Sequence, residues 1–166
     1  QRCLGFDCNV YVYDPYVDEK IIQNKNCYKI DMNEGLSLAD LISIHLPLTN
    51  ETKNLIAKKQ FEQMKKNCII VNTSRGGIIN ESDLLITLKN KNILGAGLDV
   101  FEKEPPQENN ELFKMQNILL TPHNAALTLE CRKRMAIEMA NNINYYIQND
   151  SKLNIQNIVN RKNLNL

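Results

Sequence analysis

The segment Val-Asn-Thr-Ser-Arg-Gly-Gly at residues 71–77 closes an apolar run of the kind that forms a buried strand. Its arginine, Arg75, is poor material for a core but suits anion binding, because a guanidinium donates two parallel hydrogen bonds to one carboxylate. Gly76 and Gly77 follow directly, and residues without a side chain let the backbone approach a bound ligand closely. The alternative is an exposed arginine in an ordinary strand-to-helix turn.

Two later segments place acids and a histidine after short apolar runs of their own. Residues 97–106 read Gly-Leu-Asp-Val-Phe-Glu-Lys-Glu-Pro-Pro, and residues 120–126 read Leu-Thr-Pro-His-Asn-Ala-Ala. Imidazole exchanges protons near neutral pH, so His123 is a candidate acid/base, and the Glu104 carboxylate could hold its ring. A lone histidine in a Thr-Pro-His turn is more often structural. We favour catalysis because Arg75, Glu104 and His123 follow equivalent strand ends.

Three further polar residues end apolar runs. The Asp14 carboxylate could bind both hydroxyls of an adenosine ribose and repel a 2′-phosphate, although Asp-Pro is also common in simple turns. The sequence leaves both alternatives for Asp14 open. Asp99 could face a nicotinamide or could simply begin a turn. We expect His45 to be packed or bonded to the backbone, where it would shape the cofactor side.

Short apolar runs alternate with amphipathic segments, which is the pattern of a parallel sheet covered by helices. We predict strands at residues 9–13, 41–46, 68–73, 93–98 and 118–120, with a weaker one at 28–30. We predict helices at residues 36–41, 58–64, 81–90 and 128–147. Asn80 is a start signal for the third of these helices. The fold class is therefore α/β, a doubly wound parallel fold of the Rossmann type with one sheet, with ligands bound beyond the carboxyl ends of the strands.

The longest predicted helix carries apolar residues at every third or fourth position, a spacing that places them on one face. We expect this stripe to be part of the core or an interface. Its members are Cys131, Met135, Met139, Ile143 and Tyr146.

Composition excludes several classes of partner. With 166 residues and a net charge of +1, the chain has the size of one domain and no charge excess to attract nucleic acid or an anionic membrane. No apolar stretch reaches the roughly 20 residues of a membrane span. The five cysteines lack C-x-x-C spacing, which suits free thiols in a reducing, cytoplasmic compartment better than disulfides or a metal site. We expect no nucleic acid, no membrane and no metal.

Taken together and in this order, these segments resemble the D-isomer-specific 2-hydroxyacid dehydrogenases. This is the family of phosphoglycerate dehydrogenase, D-lactate dehydrogenase and hydroxypyruvate/glyoxylate reductase. The resemblance runs from about residue 4 to residue 147. The motifs that carry it are Tyr-Asp-Pro-Tyr at 13–16, His-Leu-Pro-Leu-Thr at 45–49, Asn-Thr-Ser-Arg-Gly-Gly at 72–77, the segment 97–105 and Thr-Pro-His at 121–123. Each motif alone is weak, but five in the same order are specific.

The resemblance implies hydride transfer between NAD(H) and a pair of D-2-hydroxy and 2-oxo acids. It implies that Arg75 binds the substrate carboxylate and keto oxygen, that His123 is the acid/base, and that Glu104 is the partner of His123. The residues implied to bind NAD are Asp14, Leu46, Pro47, Thr73, Ser74, Arg75, Asp99, His123 and Ala126. The implied partners are a small 2-oxo or 2-hydroxy acid and, for the full-length protein, a second copy of itself.

The family's G-x-G-x-x-G loop, which binds the cofactor pyrophosphate at a helix amino terminus, occurs nowhere in this sequence. We therefore expect a partial dinucleotide-binding domain at residues 1–148 that lacks its first strand and Gly-rich loop. Residues 149–166 would be a tail that returns toward a substrate domain. The absent strand is central in the order 3-2-1-4-5-6, so exposed strand edges should result. We expect a fragment of a longer product or half of a split one.

Two other functions fit the same residues. One is a binding module in which NAD occupancy controls a protein contact, as in corepressors that share this fold. Binding of NADH without turnover would favour it. The other is an inactive fragment, whose melting temperature would not rise with NADH.

Overall fold

The computed structural model of the chain describes residues 2–23, 25–148, 151–155 and 158–159. The chain divides into two compact units, Gln1–His123 and Asn124–Leu166. The first unit contains parallel strands and short helices, and the second contains one long helix. The predicted tail at 149–166 falls largely outside the described residues.

The first unit is built on parallel strands, as predicted. The strands are β1 (Tyr11–Val12), β2 (Tyr28–Lys29), β3 (Leu41–Ile44), β4 (Ile69–Asn72), β5 (Gly95–Leu98) and β6 (Ile118–Leu120). β1 pairs with β2, and β3-β4-β5-β6 form a separate four-stranded sheet. The parallel α/β class is confirmed, but the prediction of a single sheet is wrong. In the predicted strand order, one strand separates β1 from β3, and no described residue forms it.

The four strands of the larger sheet end at the same height at its carboxyl edge. Ile44 pairs with Asn72, Asn72 with Leu98, and Leu98 with Leu120, so the last residues of all four strands share one register. Adjacent strands lie roughly 4.8 Å apart, which spreads the four ends over about 14 Å. The loops that follow these strands therefore all begin along one short edge, which is where a ligand would bind.

The helices lie mostly where the sequence predicts them. They are α1 (Glu19–Gln23), α2 (Met32–Leu38), α3 (Lys58–Phe61), α4 (Glu81–Lys89) and α5 (Leu129–Ile147). Two short 3-10 turns, Leu4–Phe6 and Glu111–Lys114, and helix α1 were not predicted. The helix predicted at 36–41 is displaced towards the amino terminus. It begins after Asp31, whose side chain accepts a hydrogen bond from the Asn33 N–H at 2.8 Å.

Capping residues define where the two longest helices begin. As predicted, α4 starts after Asn80, whose side chain accepts from the Asp83 N–H at 2.9 Å. Thr128 caps α5 by accepting from the Cys131 N–H at 3.1 Å. Each side chain satisfies a backbone donor that has no partner within its own helix.

The core of the first unit lies between the four-stranded sheet and the helices on it. Ile70, Ile78 and Leu84 are fully buried at its centre. Full burial of such a side chain contributes about 1.5–3 kcal/mol. Cys68 is also buried, and burial raises the pKa of its thiol to about 11. This core fixes β4 and β5, whose carboxyl ends carry the candidate site.

In the second unit, the apolar stripe of α5 is exposed. None of the described residues of α5 is buried, and Met139 is 63% exposed. An open cavity of about 450 Å³ lies beside this stripe, and Leu153 and Ile158 are also among its lining residues. The core alternative for the stripe is therefore wrong, and the interface alternative stays a prediction. In the described ranges, no helix is both long and apolar enough to cross a bilayer.

Candidate active site

The predicted site residues follow the carboxyl ends of five parallel strands. Asp14 follows β1, Leu46 and Pro47 follow β3, and the segment 73–75 follows β4. Asp99 follows β5 and His123 follows β6. Ala126 lies in the second unit and is exposed. The four-stranded sheet thus gathers most of the predicted residues at one edge, which the hypothesis of a single site requires.

His123 and Glu104 form a direct pair. The Nδ1 atom of His123 lies 2.8 Å from Oε2 of Glu104. The other carboxylate oxygen, Oε1, accepts from the Phe101 N–H at 3.0 Å. The hydrogen bond from His123 lowers the pKa of Glu104, with a further contribution from Phe101 N–H. An ionised carboxylate only accepts, so Nδ1 carries a proton and Nε2 faces outward from the pair as the nitrogen that can exchange one.

The backbone of His123 adopts an uncommon conformation. Its φ of 52° lies in the left-handed region, which residues other than glycine seldom adopt. Such conformations cost about 1–3 kcal/mol and cluster at sites where a side chain must point in a set direction. The same region is occupied by Asp7, Asn26, Asn54 and Lys91, so the backbone angle fits the turn alternative for His123 as well as a functional role.

Arg75 lies in the neighbouring loop with its side chain exposed. Its Nη1 donates to the Ser74 carbonyl at 2.7 Å. Within the described part of the chain, the guanidinium makes no hydrogen bond to Glu104 or His123. The structure therefore brings the acid and the histidine together, and leaves the arginine on the adjoining loop with donors available to a ligand.

Gly76 joins the Arg75 loop to the Glu104 loop. A Cβ added at Gly76 would lie 1.7 Å from the Phe101 carbonyl oxygen and 2.8 Å from the Glu102 nitrogen. The two backbones therefore pack directly against each other. The absence of a side chain at Gly76 is required for this contact within the chain, and the predicted close approach of the backbone to a ligand stays a prediction. Gly77 has a φ of 80°, which only glycine adopts readily.

Asn72, which sequence analysis did not single out, organises the turn that follows β4. It is 1% exposed, and its Nδ2 donates to the Arg75 carbonyl at 2.9 Å. Its Oδ1 accepts from the Ser74 N–H at 3.0 Å and the Ser74 hydroxyl at 2.8 Å. Ser74 is thereby turned inward, whereas Thr73 is exposed. A polar residue that closes an otherwise apolar strand is the sequence signal that could have identified Asn72.

Asp99 is 2% exposed and bonds to the loop that carries His123. The Thr121 hydroxyl donates to Asp99 Oδ1 at 2.5 Å. Buried carboxylates need such donors, because an unpaired buried charge is strongly destabilising. Asp99 thus anchors the start of the β6 loop, and its predicted contact with a nicotinamide stays a prediction.

Some polar atoms of the residues after β1 and β3 form hydrogen bonds with nearby residues of the chain. Asp14 Oδ1 accepts from the Tyr16 N–H at 2.9 Å, a contact that is expected if Asp14 belongs to a simple turn. Its second oxygen has no hydrogen-bond partner among the described residues. The Pro47 carbonyl accepts from Thr52 at 2.6 Å, and Leu46 packs against the core. His45 is exposed and bonds to the Ser43 hydroxyl at 2.8 Å, so the prediction that it is packed or backbone-bonded is wrong.

The donor set fits part of a dinucleotide. The Asp14 carboxylate can take ribose hydroxyls, and the exposed Pro47 and Thr73 follow β3 and β4 at the sheet edge where His123 follows β6. The six glycines, however, contain no G-x-G-x-x-G spacing for a pyrophosphate. The described residues therefore suit the ribose and nicotinamide ends of the cofactor and provide no glycine cradle for its phosphates.

Comparison with known proteins defines the class. The family model for the D-isomer specific 2-hydroxyacid dehydrogenase NAD binding domain matches residues 1–125, and the chain belongs to this family. NAD is the cofactor of the domain that this family model describes.

Relatives cover a range of dehydrogenases and reductases. The chain is 40% identical over 143 residues to a D-3-phosphoglycerate dehydrogenase of Archaeoglobus fulgidus, covering 86% of the chain and 27% of that relative. It is 38% identical to a glyoxylate reductase of Korarchaeum cryptofilum, covering 86% and 43%. The NAD complex of a D-isomer specific 2-hydroxyacid dehydrogenase from Lactobacillus delbrueckii superposes with a TM-score of 0.79 at 26% identity, covering 88% and 47%. The chain thus spans less than half the length of each.

Proposed function

We propose that the protein transfers a hydride between NAD(H) and a pair of 2-oxo and D-2-hydroxy acids. The observation that carries this proposal is the contact between His123 and Glu104 at 2.8 Å. It lies at the carboxyl edge of a parallel sheet, and the adjoining loop carries Arg75. The family membership of the chain gives the reaction class, and this pair provides the acid/base that the class needs.

Each polar residue has one task in the proposed reaction. Arg75 binds the substrate carboxylate through two parallel hydrogen bonds and so orients C2 and its oxygen. Nicotinamide supplies or accepts the hydride when it is bound. The protonated Nε2 of His123 gives its proton to the oxygen on C2 during reduction and takes it back during oxidation. Glu104 holds the Nδ1–H and stabilises the imidazolium by charge.

The remaining site residues are proposed to hold the cofactor. Asp14 would bind the adenosine ribose, supported by its carboxylate oxygen that has no partner among the described residues. Leu46, Pro47, Thr73, Ser74, Asp99 and Ala126 would line the cofactor, with Arg75 and His123 beside the nicotinamide. We also propose that residues 1–148 belong to the dinucleotide-binding domain.

Two finer proposals concern the full-length protein. We expect a homodimer, as in the family that the sequence resembles, and the exposed stripe of α5 is available for such a contact. We expect a cytoplasmic location, supported by five cysteines that are all free. Sedimentation of the full-length protein tests the first, and fractionation of cells tests the second.

The central test is NADH oxidation by the full-length protein with glyoxylate, hydroxypyruvate, pyruvate or phosphohydroxypyruvate. Removal of a general acid lowers the rate by roughly 10²–10⁴-fold, so His123→Ala should lower kcat by about this factor. Lys66→Ala changes an exposed residue that precedes the amino end of β4, the opposite end of that strand from Arg75, and this control should retain full activity.

Two outcomes would contradict the proposal. Turnover that persists in His123→Ala would remove the histidine from the reaction. NADH binding without turnover of any of the four acids would instead favour a binding module controlled by NAD.

A further inference from the structure

Two glutamates outside the proposed catalytic set bind each other's backbone. The Glu81 N–H donates to Glu102 Oε1 at 2.8 Å, and the Glu102 N–H donates to Glu81 Oε1 at 2.5 Å. The second oxygen of Glu81 accepts a weaker hydrogen bond from the Asn110 side chain at 3.4 Å. Glu81 is the first residue of α4, and Glu102 lies in the loop after β5. This reciprocal pair ties the loop to the helix.

Capping of the helix does not explain the Glu81 side chain. Asn80 already caps α4 by accepting from the Asp83 N–H. The Glu81 carboxylate instead reaches to the loop, and burial raises its pKa. Both carboxylates suit the positive amino terminus of α4, and the Glu81 carboxylate also holds the Glu102 N–H in the loop after β5. The contact therefore has a consequence beyond the start of the helix.

This consequence concerns Glu104, which lies two residues after Glu102 in the same loop. The Phe101–Glu102 peptide is held by Glu81 from α4 and contacts Gly76 from the Arg75 loop. The Phe101 N–H in turn donates to Glu104 Oε1, and Glu104 Oε2 contacts His123. A shift at Glu102 therefore moves the donor that orients the Glu104 carboxylate.

We infer that Glu81 is a positioning residue, which holds the Glu104 loop so that the Glu104 carboxylate meets Nδ1 of His123. The inference rests on the proposed function, because its purpose is to orient the acid/base of that reaction. Glu81 touches neither His123 nor Glu104 and acts through Glu102 and Phe101.

The test reads the position of the imidazole proton by ¹⁵N–¹³C correlation NMR on the 166-residue chain. The hydrogen bond at Nδ1 selects the Nδ1–H form of neutral His123, whereas a solvated imidazole prefers Nε2–H. The chain has two histidines, so His45 serves as an internal reference for an intact fold. Above the titration range, we expect the native His123 signals to be those of the Nδ1–H form.

Three variants separate positioning from stability. Glu81→Asp keeps the charge at the first turn of α4 but shortens the side chain by one methylene, so its carboxylate no longer reaches the Glu102 N–H, while the Glu81 N–H can still donate to the Glu102 side chain. The Nδ1–H signature of His123 should then shift towards Nε2–H while the His45 signals stay unchanged. Glu81→Gln keeps an oxygen that can accept from Glu102 and should retain the signature. Ser82→Ala, an exposed neighbour on α4, is the control.

The inference is overturned if Glu81→Asp keeps the native His123 signature, if Glu81→Gln loses it with the His45 signals intact, or if native His123 shows the Nε2–H form. In the active full-length protein, Glu81→Asp should lower kcat by roughly 10–100-fold and leave KM for NADH unchanged. Altered NMR signals in a protein without turnover would refute the proposed reaction and leave the positioning role standing.

Discussion

At the scale of single residues, the site depends on one short contact whose strength changes with pH. The hydrogen bond from His123 lowers the pKa of Glu104 below its ordinary value near 4.3. For an acid with a lowered pKa in the folded state, the stabilisation is present above the unfolded value. It is lost as pH falls through the folded value. Acidification below about pH 4.3 should therefore weaken the His123 contact and the loop that depends on it.

We predict that Glu104→Gln reduces the loss of unfolding free energy that acidic pH causes. Urea unfolding between pH 6 and pH 3 should show a smaller loss of free energy in the variant than in the native chain. The difference should be about 0.2–1 kcal/mol, as is typical of exposed ion pairs, because both side chains face solvent. Glu108→Gln removes an exposed carboxylate from the same loop and is the control. Equal losses at acidic pH in the native chain and in Glu104→Gln would contradict this account.

Residue types were predicted better than their contacts. An arginine, an acid and a histidine that follow strand ends were recognisable because such residues have no role in a core. The hydrogen bonds of Asn72 and the reciprocal pair of Glu81 and Glu102 were not predicted. The Glu81–Glu102 pair joins residues 21 apart, which no local pattern encodes. The Asn72 contacts lie within three residues along the chain and depend on the exact geometry of the turn after β4.

At the scale of elements, the loops after β4 and β5 depend on the absence of one side chain. Gly76→Ala would place a methyl group 1.7 Å from the Phe101 carbonyl oxygen, so one of the two loops must move. Overpacking of this kind costs about 1–3 kcal/mol. We expect urea unfolding to show a loss in this range and the full-length protein to lose turnover, because Arg75 moves relative to Glu104.

A second glycine provides the matched control for this prediction. A Cβ at Gly97 would contact the Val71 methyl groups at 3.6 and 3.7 Å, which is an ordinary distance. Gly97→Ala should therefore be neutral or stabilise the fold by roughly 0.4–1 kcal/mol through reduced freedom of the unfolded chain. Equal losses in the two variants would show that the contact at Gly76 is not special.

The elements themselves were largely predictable. β6 has the predicted bounds, and α4 begins at the residue that its cap predicted. The misplaced helix, α2, shows where the pattern was insufficient, since the prediction extended it into β3 and overlooked the cap at Asp31. Apolar residues near 36–41 belong to both a helix and a strand, and apolar content alone cannot locate the boundary between them.

At the scale of the whole molecule, the two parallel sheets leave strand edges without partners in the described part of the chain. β3 is an outer strand of its sheet, and β1 has only β2 beside it. Leu41 on β3 is 59% exposed, and Tyr11 on β1 is 48% exposed. Free backbone donors and acceptors next to exposed apolar side chains favour pairing with another chain. The sequence analysis predicted exposed strand edges, and the division into two sheets leaves such edges among the described residues.

The corresponding prediction is that the 166-residue chain self-associates through its β3 edge. Its weight-average mass in sedimentation experiments should rise above 19.1 kDa as concentration increases. Leu41→Lys places a charge on the edge strand and should return the mass towards the monomer value. Ile86→Lys adds the same charge on the outer face of α4, where the native side chain is 56% exposed, and should leave association unchanged. If both variants reduce association equally, general hydrophobicity drives the association. A native chain that stays monomeric at every concentration would show that the β3 edge does not mediate self-association.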